Sequence, residues 1–320
     1  MTDEEQYIRP DVKAFVAALA SIGSKPISEL SLEEARGGYL ALHAMGDRPP
    51  RELAVIRDLA CPGPGGEIPV RLYDARETRQ AGPVIVFYHG GGYVIGDLES
   101  HHNLCTEIAA QMDLPVVAVD YRRAPEHPFP AAVDDCEAAA RWAASSPPEL
   151  ARPATGLVLM GDSAGGNASI VTAQALAENA AAVPVVLQVP LFPLATDIAD
   201  CASLDVFAEG FILTKAAVEF FDVAYAADRS DPRATPILGD IAASPPTVLV
   251  TAGLDPIRDS GRAYGGALAT AGVEMVFLEM KGLTHSFTNL RLAIPSAQTD
   301  LERVFAAMKL MLNTNSGGAT

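Results

Sequence analysis

The feature that most limits what this chain can fold into is a series of short, almost uninterrupted apolar runs separated by helix-like stretches. The runs cover residues 84–88, 116–119, 157–160, 185–189, 247–251 and 273–278; the helix-like stretches cover 100–112, 131–145, 164–179, 259–271 and 296–312. A strand that is apolar on both faces must be covered on both faces, which is the situation of a parallel sheet held between helices. Two more extended runs, 53–60 and 67–73, flank Pro62-Gly63-Pro64-Gly65-Gly66, turn chemistry that predicts a hairpin. The expectation is therefore an α/β fold with a mostly parallel sheet.

Helices are predicted over 11–22 and 31–45, the second opened by Ser31 and Glu34 at the spacing of a capping box. The interval from 189 to 247 is too long for a simple crossover, and 207–225 within it is helix-like and rich in Phe and Ala. It reads as an insertion over one edge of the sheet, forming a lid with the N-terminal helices. The expected division is a cap from 1–46 and 195–227, with a catalytic body from 47–194 and 228–320. Residues 313–320 read as a tail, and no repeat or low-complexity segment interrupts the chain.

Composition narrows the function. Of 320 residues, 49% are apolar, enough for a large core and incompatible with a disordered chain, and the net charge of −17 repels phosphate backbones and anionic lipid surfaces. Neither a nucleic-acid partner nor a membrane is expected. The first residues are acidic where a secretory signal is basic, and the apolar-leaning run 180–195 is broken by Pro184, Pro190 and Pro193, so a cytoplasmic chain is expected. Cys61, Cys105, Cys136 and Cys201 form no C-x-x-C pair and read as reduced, buried thiols. His101 and Cys105 stand at i,i+4, but no second ligand pair accompanies them, and a helix face is the better reading.

Gly161-Asp162-Ser163-Ala164-Gly165 has the G-x-S-x-G form between an apolar run and an alanine-rich helix. A nucleophile on so sharp a strand-to-helix turn needs glycine two positions either side to avoid backbone collisions; the competing reading makes Ser163 a plain helix cap. His89-Gly90-Gly91-Gly92 follows the run 84–88 directly. Successive glycines let several N–H groups converge on one point, a cradle for an oxyanion. It lacks both the Lys-Ser/Thr ending and the G-x-G-x-x-G spacing of phosphate loops, and His89 is read as pinning this loop. A serine hydroxyl needs an imidazole and a carboxylate. His43, His101, His102 and His127 lie in helices or a Pro-rich turn, whereas His285 alone follows a late strand. For the acid, Asp255 and Asp259 are both available, Asp255 nearer its strand end and Asp259 well explained as a helix cap or supporting partner. Four loops thus begin at the carboxyl ends of apolar strands, which share one edge in a parallel sheet, and Ser163, Asp255 and His285 follow the nucleophile, acid, base order of α/β-hydrolases.

On these residues the chain resembles the hormone-sensitive-lipase-like bacterial esterases of the α/β-hydrolase superfamily, which are similar in turn to arylacetamide deacetylases. The likeness runs through His89 to Asp97, Tyr121 to Ala131, Gly161 to Asn167 and Asp255 to Asp259. It implies an α/β-hydrolase fold with an eight-stranded sheet and a helical cap, Asp255 as the triad acid, and an oxyanion hole from the N–H groups of Gly91, Gly92 and Ala164. Gly90, Asp162 and Asp259 are expected in support. Ser286 and Arg123 depart from the family pattern, neither at the triad. The activity implied is hydrolysis of short acyl esters through an acyl-enzyme, with no cofactor or metal, a small ester as substrate, Phe211 and Leu213 as candidate pocket walls, and dimer contact through the edge strand near 273–278. An amidase or deacetylase on the same triad, or a binding protein of the same fold without catalysis, are the alternatives; the presence of His285 argues against the second.

Overall fold

The computed structural model describes residues 6–23 and 25–316. Its eight strands are β1 (Val55–Gly63), β2 (Gly66–Asp74), β3 (Gly82–Tyr88), β4 (Val116–Val119), β5 (Ala154–Asp162), β6 (Val185–Leu191), β7 (Thr247–Leu254) and β8 (Met275–Thr284). They form one sheet in the order β1-β2-β4-β3-β5-β6-β7-β8. From β3 to β8 every pairing is parallel, and only β1 and β2 run antiparallel to their neighbours. The hairpin closes where Gly63 faces Gly66.

The helices are α1 (Pro10–Ile22), α2 (Leu32–Gly46), α3 (His102–Met112), α4 (Ala131–Ala144), α5 (Ala164–Glu178), α6 (Ser203–Val206), α7 (Lys215–Tyr225), α8 (Arg258–Thr270) and α9 (Ser296–Ser316). Successive residues of a strand point to opposite faces. Ile85, Phe87, Val158 and Met160 enter one core cluster with residues of α3 and α9, whereas Val84, Val86, Leu157 and Leu159 enter the other with α4 and α5. That two-sided burial is why β3 and β5 read as unbroken apolar runs. Each such side chain contributes about 1.5–3 kcal/mol on leaving water.

Three expectations need correction. The strand expected at 273–278 begins at Met275 and runs on to Thr284. It lies at the sheet edge, so Glu279 and Lys281 flank buried Met280, and a rule seeking apolar runs stops too soon. The helix expected over 207–225 is confined to Lys215–Tyr225; Gly210 at φ +85° turns the chain before Thr214 caps α7 by accepting from the Ala217 N–H. Residues 313–316 continue α9 and are not a tail, while 317–320, and the acidic start 1–5, lie outside the described residues. The capping box of α2 is formed in both directions between Ser31 and Glu34.

Candidate active site

Parallel pairing of β7 and β8 brings Leu254 opposite Thr284, so Asp255 and His285, the next residue in each strand, emerge side by side. The Asp255 Oδ2 lies 2.7 Å from His285 Nδ1, and its Oδ1 accepts from the Ile257 N–H at 2.9 Å. The acid is fully buried and His285 is 4% exposed. On the other side of the ring, His285 Nε2 is 2.9 Å from Ser163 Oγ.

Ser163 follows β5 and precedes α5 with φ 55° and ψ −116°, an arrangement that costs a non-glycine residue about 1–3 kcal/mol. Its N–H donates to Leu191 O at 2.8 Å, tying the turn to the neighbouring strand. The flanking glycines are demanded by space: a Cβ on Gly165 would stand 1.9 Å from Tyr88 O, and one on Gly161 2.3 Å from Gly165 O. Ser163 makes no side-chain cap bond to α5, so the plain helix-cap reading does not describe it.

The glycine loop lies against this turn. Gly90 N donates to Asp162 Oδ1 at 2.9 Å, Gly91 has φ +118° and Gly92 φ +61°. A Cβ on Gly91 would meet Ile95 O at 2.1 Å. Among the described residues no hydrogen bond occupies the N–H groups of Gly91, Gly92 or Ala164, which leaves three donors for a ligand oxygen. His89 is buried behind the loop, stacked on Tyr121 at 4.1 Å and with Nδ1 2.8 Å from Gly90 O. Burial drives its imidazole down to about 3, so it is neutral at working pH.

Asp259 stands apart from the imidazole. Its Oδ2 accepts from the Ser203 N–H, its own N–H donates to Ser203 Oγ, and its Oδ1 pairs with Arg258 and Arg262. Instead of capping α8 it clips the insertion to the loop that carries Asp255. Phe211 and Leu213 are half-buried, Phe211 with its ring 5.7 Å from that of Phe207 and Leu213 against the cluster of Cys201, Leu204, Val218 and Ile257. Two further rings lie at the site. Phe192 lies edge to face with His285 at 4.8 Å, and the Phe221 ring packs on Gly92, 2.3 Å from where a Cβ would be. Phe192 follows β6, so the rule that gathered four strand-end loops extends to it; Phe221 carries no signal beyond its place in α7. The two segments expected to form a cap meet, α7 packing on the 3₁₀ turn Ile27–Glu29, and Arg36 of α2 donates to Val94 O beside the glycine loop.

A family model for the alpha/beta hydrolase fold matches residues 85–289. The chain is 34% identical to ethyl acetate hydrolase of Pseudomonas putida over 94% of its own length and 98% of that protein's. The chain belongs to the α/β-hydrolase family of carboxylic ester hydrolases. This α/β-hydrolase is also 40% identical to the carboxylic ester hydrolase LipN of Mycobacterium tuberculosis, over 73% of its length and 65% of that relative's. Its fold superposes on a solved ester hydrolase from the metagenome of Lake Arreo with a TM-score of 0.90 and 31% identity, covering 96% of this chain and all of the other.

Proposed function

We propose that this hydrolase cleaves short, water-soluble acyl esters, with Ser163 as nucleophile, His285 as general base and acid, and Asp255 holding the ring. His285 Nε2 takes the proton of Ser163 Oγ as the oxygen bonds to the ester carbonyl, and the carbonyl oxygen becomes an anion on the N–H groups of Gly91, Gly92 and Ala164. The proton then passes to the departing alcohol oxygen as its bond to the acyl carbon breaks. Water repeats the sequence on the acyl-enzyme, giving the free acid and restoring Ser163.

The observation that carries this reading is the unbroken chain from Asp255 through His285 to Ser163, at 2.7 and 2.9 Å. The name of the Pseudomonas relative, ethyl acetate hydrolase, supports a small acyl group. In this reading 1–46 and 195–227 form the cap, Phe211 and Leu213 help to shape its interior, and the open edge of β8 serves a dimer. Sedimentation as monomer alone removes that last element. Four buried, unpaired thiols support a reducing, cytoplasmic setting.

The test is a panel of p-nitrophenyl esters of rising acyl length on the wild type and Ser163→Ala. The alanine variant is expected to lose kcat by about 10⁶-fold, as when a triad serine is removed in other hydrolases. Equal hydrolysis by both proteins would falsify the nucleophile assignment, and a wild type that prefers long chains would overturn the substrate class.

A further inference from the structure

Beside Ser163 the structure buries a second acid that the reaction does not use. Asp162 is fully buried, and its carboxylate holds Gly90 from two directions: Oδ1 accepts the Gly90 N–H at 2.9 Å, and a Cβ on Gly90 would lie 2.4 Å from Oδ2. One carboxylate therefore joins the turn that aims the nucleophile to the loop that offers the N–H donors. A buried carboxylate needs a counter-charge. Among the described residues no Lys or Arg pairs with it; the ring of His101, 1% exposed, does, with Nε2 3.1 Å from Oδ1.

The hydrogen bonds around His101 define where its protons point. Ser100 Oγ donates to Asp97 O at 3.0 Å and accepts from Asp97 N at 2.9 Å, so it faces His101 Nδ1, 3.0 Å away, as an acceptor. Nε2 faces the carboxylate. Gly90 N also lies 3.3 Å from Nε2, but its shorter bond is the one to Asp162. Nδ1 thus meets an acceptor, and Nε2 lies against the buried carboxylate. The neighbouring rings cannot substitute: burial drives His43 and His89 down to about 3. The Asp162 carboxyl, which burial alone would raise, is held below its ordinary value chiefly by His101.

We propose that His101 is a positioning residue of this esterase, the buried hydrogen-bond partner through which Asp162 fixes the Ser163 turn and the Gly90 loop relative to each other. Its effect falls on the transition state, where the oxyanion donors and the nucleophile must be in register, and not on ground-state binding. The inference rests on the proposed role of Ser163, and the two are separated by labelling the enzyme with a p-nitrophenyl phosphonate. One equivalent of p-nitrophenol from wild type and none from Ser163→Ala establishes the nucleophile whatever His101 does.

Rates of p-nitrophenyl butyrate hydrolysis are then expressed per titrated site. His101→Ala is expected to lower kcat by about 100-fold, the cost of misplacing reacting groups by about 1 Å, with KM within about 2-fold of wild type. His101→Gln, which keeps an N–H near the Nε2 position, is expected to regain at least about 10-fold of that loss. A kcat for His101→Ala within about 2-fold of wild type, or no recovery with Gln, overturns the proposal. Should His101→Ala fail to fold, the pair Asp162→Asn with His101→Ala, which buries no carboxylate, replaces it. A kcat within about 2-fold of Asp162→Asn alone supports one unit, and a further loss of about 10-fold or more means the two act independently and overturns it.

Discussion

The two ends of the sheet bury carboxylates in opposite ways. At the end away from Ser163, Asp74 is fully buried and receives Arg79 Nε at 2.7 Å, Arg152 Nε at 2.5 Å and the Arg76 N–H at 2.9 Å. Arg152 also donates to the carbonyls of Ala151, Arg76 and Glu77, and Arg79 also reaches Asp113. At the other end Asp255 and Asp162, equally buried, each face a single imidazole. Guanidinium keeps its charge at any working pH and presents five fixed donors, which makes a permanent clip. Imidazole has two nitrogens, and in His285 the one turned away from the carboxylate faces Ser163 Oγ. The amino end spends its charges on holding the sheet together, and the carboxyl rim leaves an imidazole nitrogen facing a hydroxyl.

Breaking one buried pair at each end tests that contrast. Asp255→Asn is expected to lower kcat by about 10⁴-fold, because the amide no longer selects the ring orientation that accepts the Ser163 proton, and ester hydrolysis per titrated site measures it. If Asp259→Asn proved the more damaging change, the assignment of the acid would be reversed. At the other end Arg152→Ala leaves Asp74 with half of its guanidinium support. An unfolding free energy lower by about 3 kcal/mol or more in urea, with kcat and KM unchanged, is expected. A loss of activity per folded molecule would mean that the two ends communicate.

This contrast also explains how much was readable beforehand. Ser163, Asp255, His285 and the glycines are visible because each sits at a fixed offset from a strand end, and strand ends are legible from two-sided burial. Register did the rest, since Leu254 opposite Thr284 is what a right-handed crossover between neighbouring strands produces. His101 was passed over because its meaning depends on packing: nothing in the spacing of Ser100, His101 and Cys105 reveals that the ring faces Asp162. A usable signal existed in the motif itself, where an acid placed between Gly161 and Ser163 at the end of a buried strand requires a cation nearby. For Asp259 the sequence leaves a helix cap and a supporting partner both open, because the segment that approaches it, Ser203 in α6, belongs to the insertion whose path the sequence does not determine.

The smallest expected effect follows from the rim's dependence on neutral rings. His43 is buried on α2, with Nδ1 3.2 Å from Ser100 O and Nε2 buried without a partner among the described residues. A proton on Nε2 has no acceptor, and burial accordingly lowers the ring from an ordinary 6.5 to about 3. The unfolded chain then binds the proton first as pH falls, so the contribution of this group is fully present above about 6.5 and is lost progressively between there and about 3. At pH 5 the loss amounts to about 2 kcal/mol for one such ring, and His89 adds a second of the same sign. His43→Asn, which keeps a donor to Ser100 O, is expected to cost stability at pH 7 but to shrink the difference between pH 7 and pH 5 by about 2 kcal/mol in urea unfolding. Arg152→Ala, by contrast, is expected to leave that difference intact, because its guanidinium does not titrate in this range. An unaltered pH difference in the His43 variant would mean that the native ring takes up its proton as readily as the unfolded one, and the carboxyl rim would then owe its acid sensitivity to something other than buried neutral imidazole.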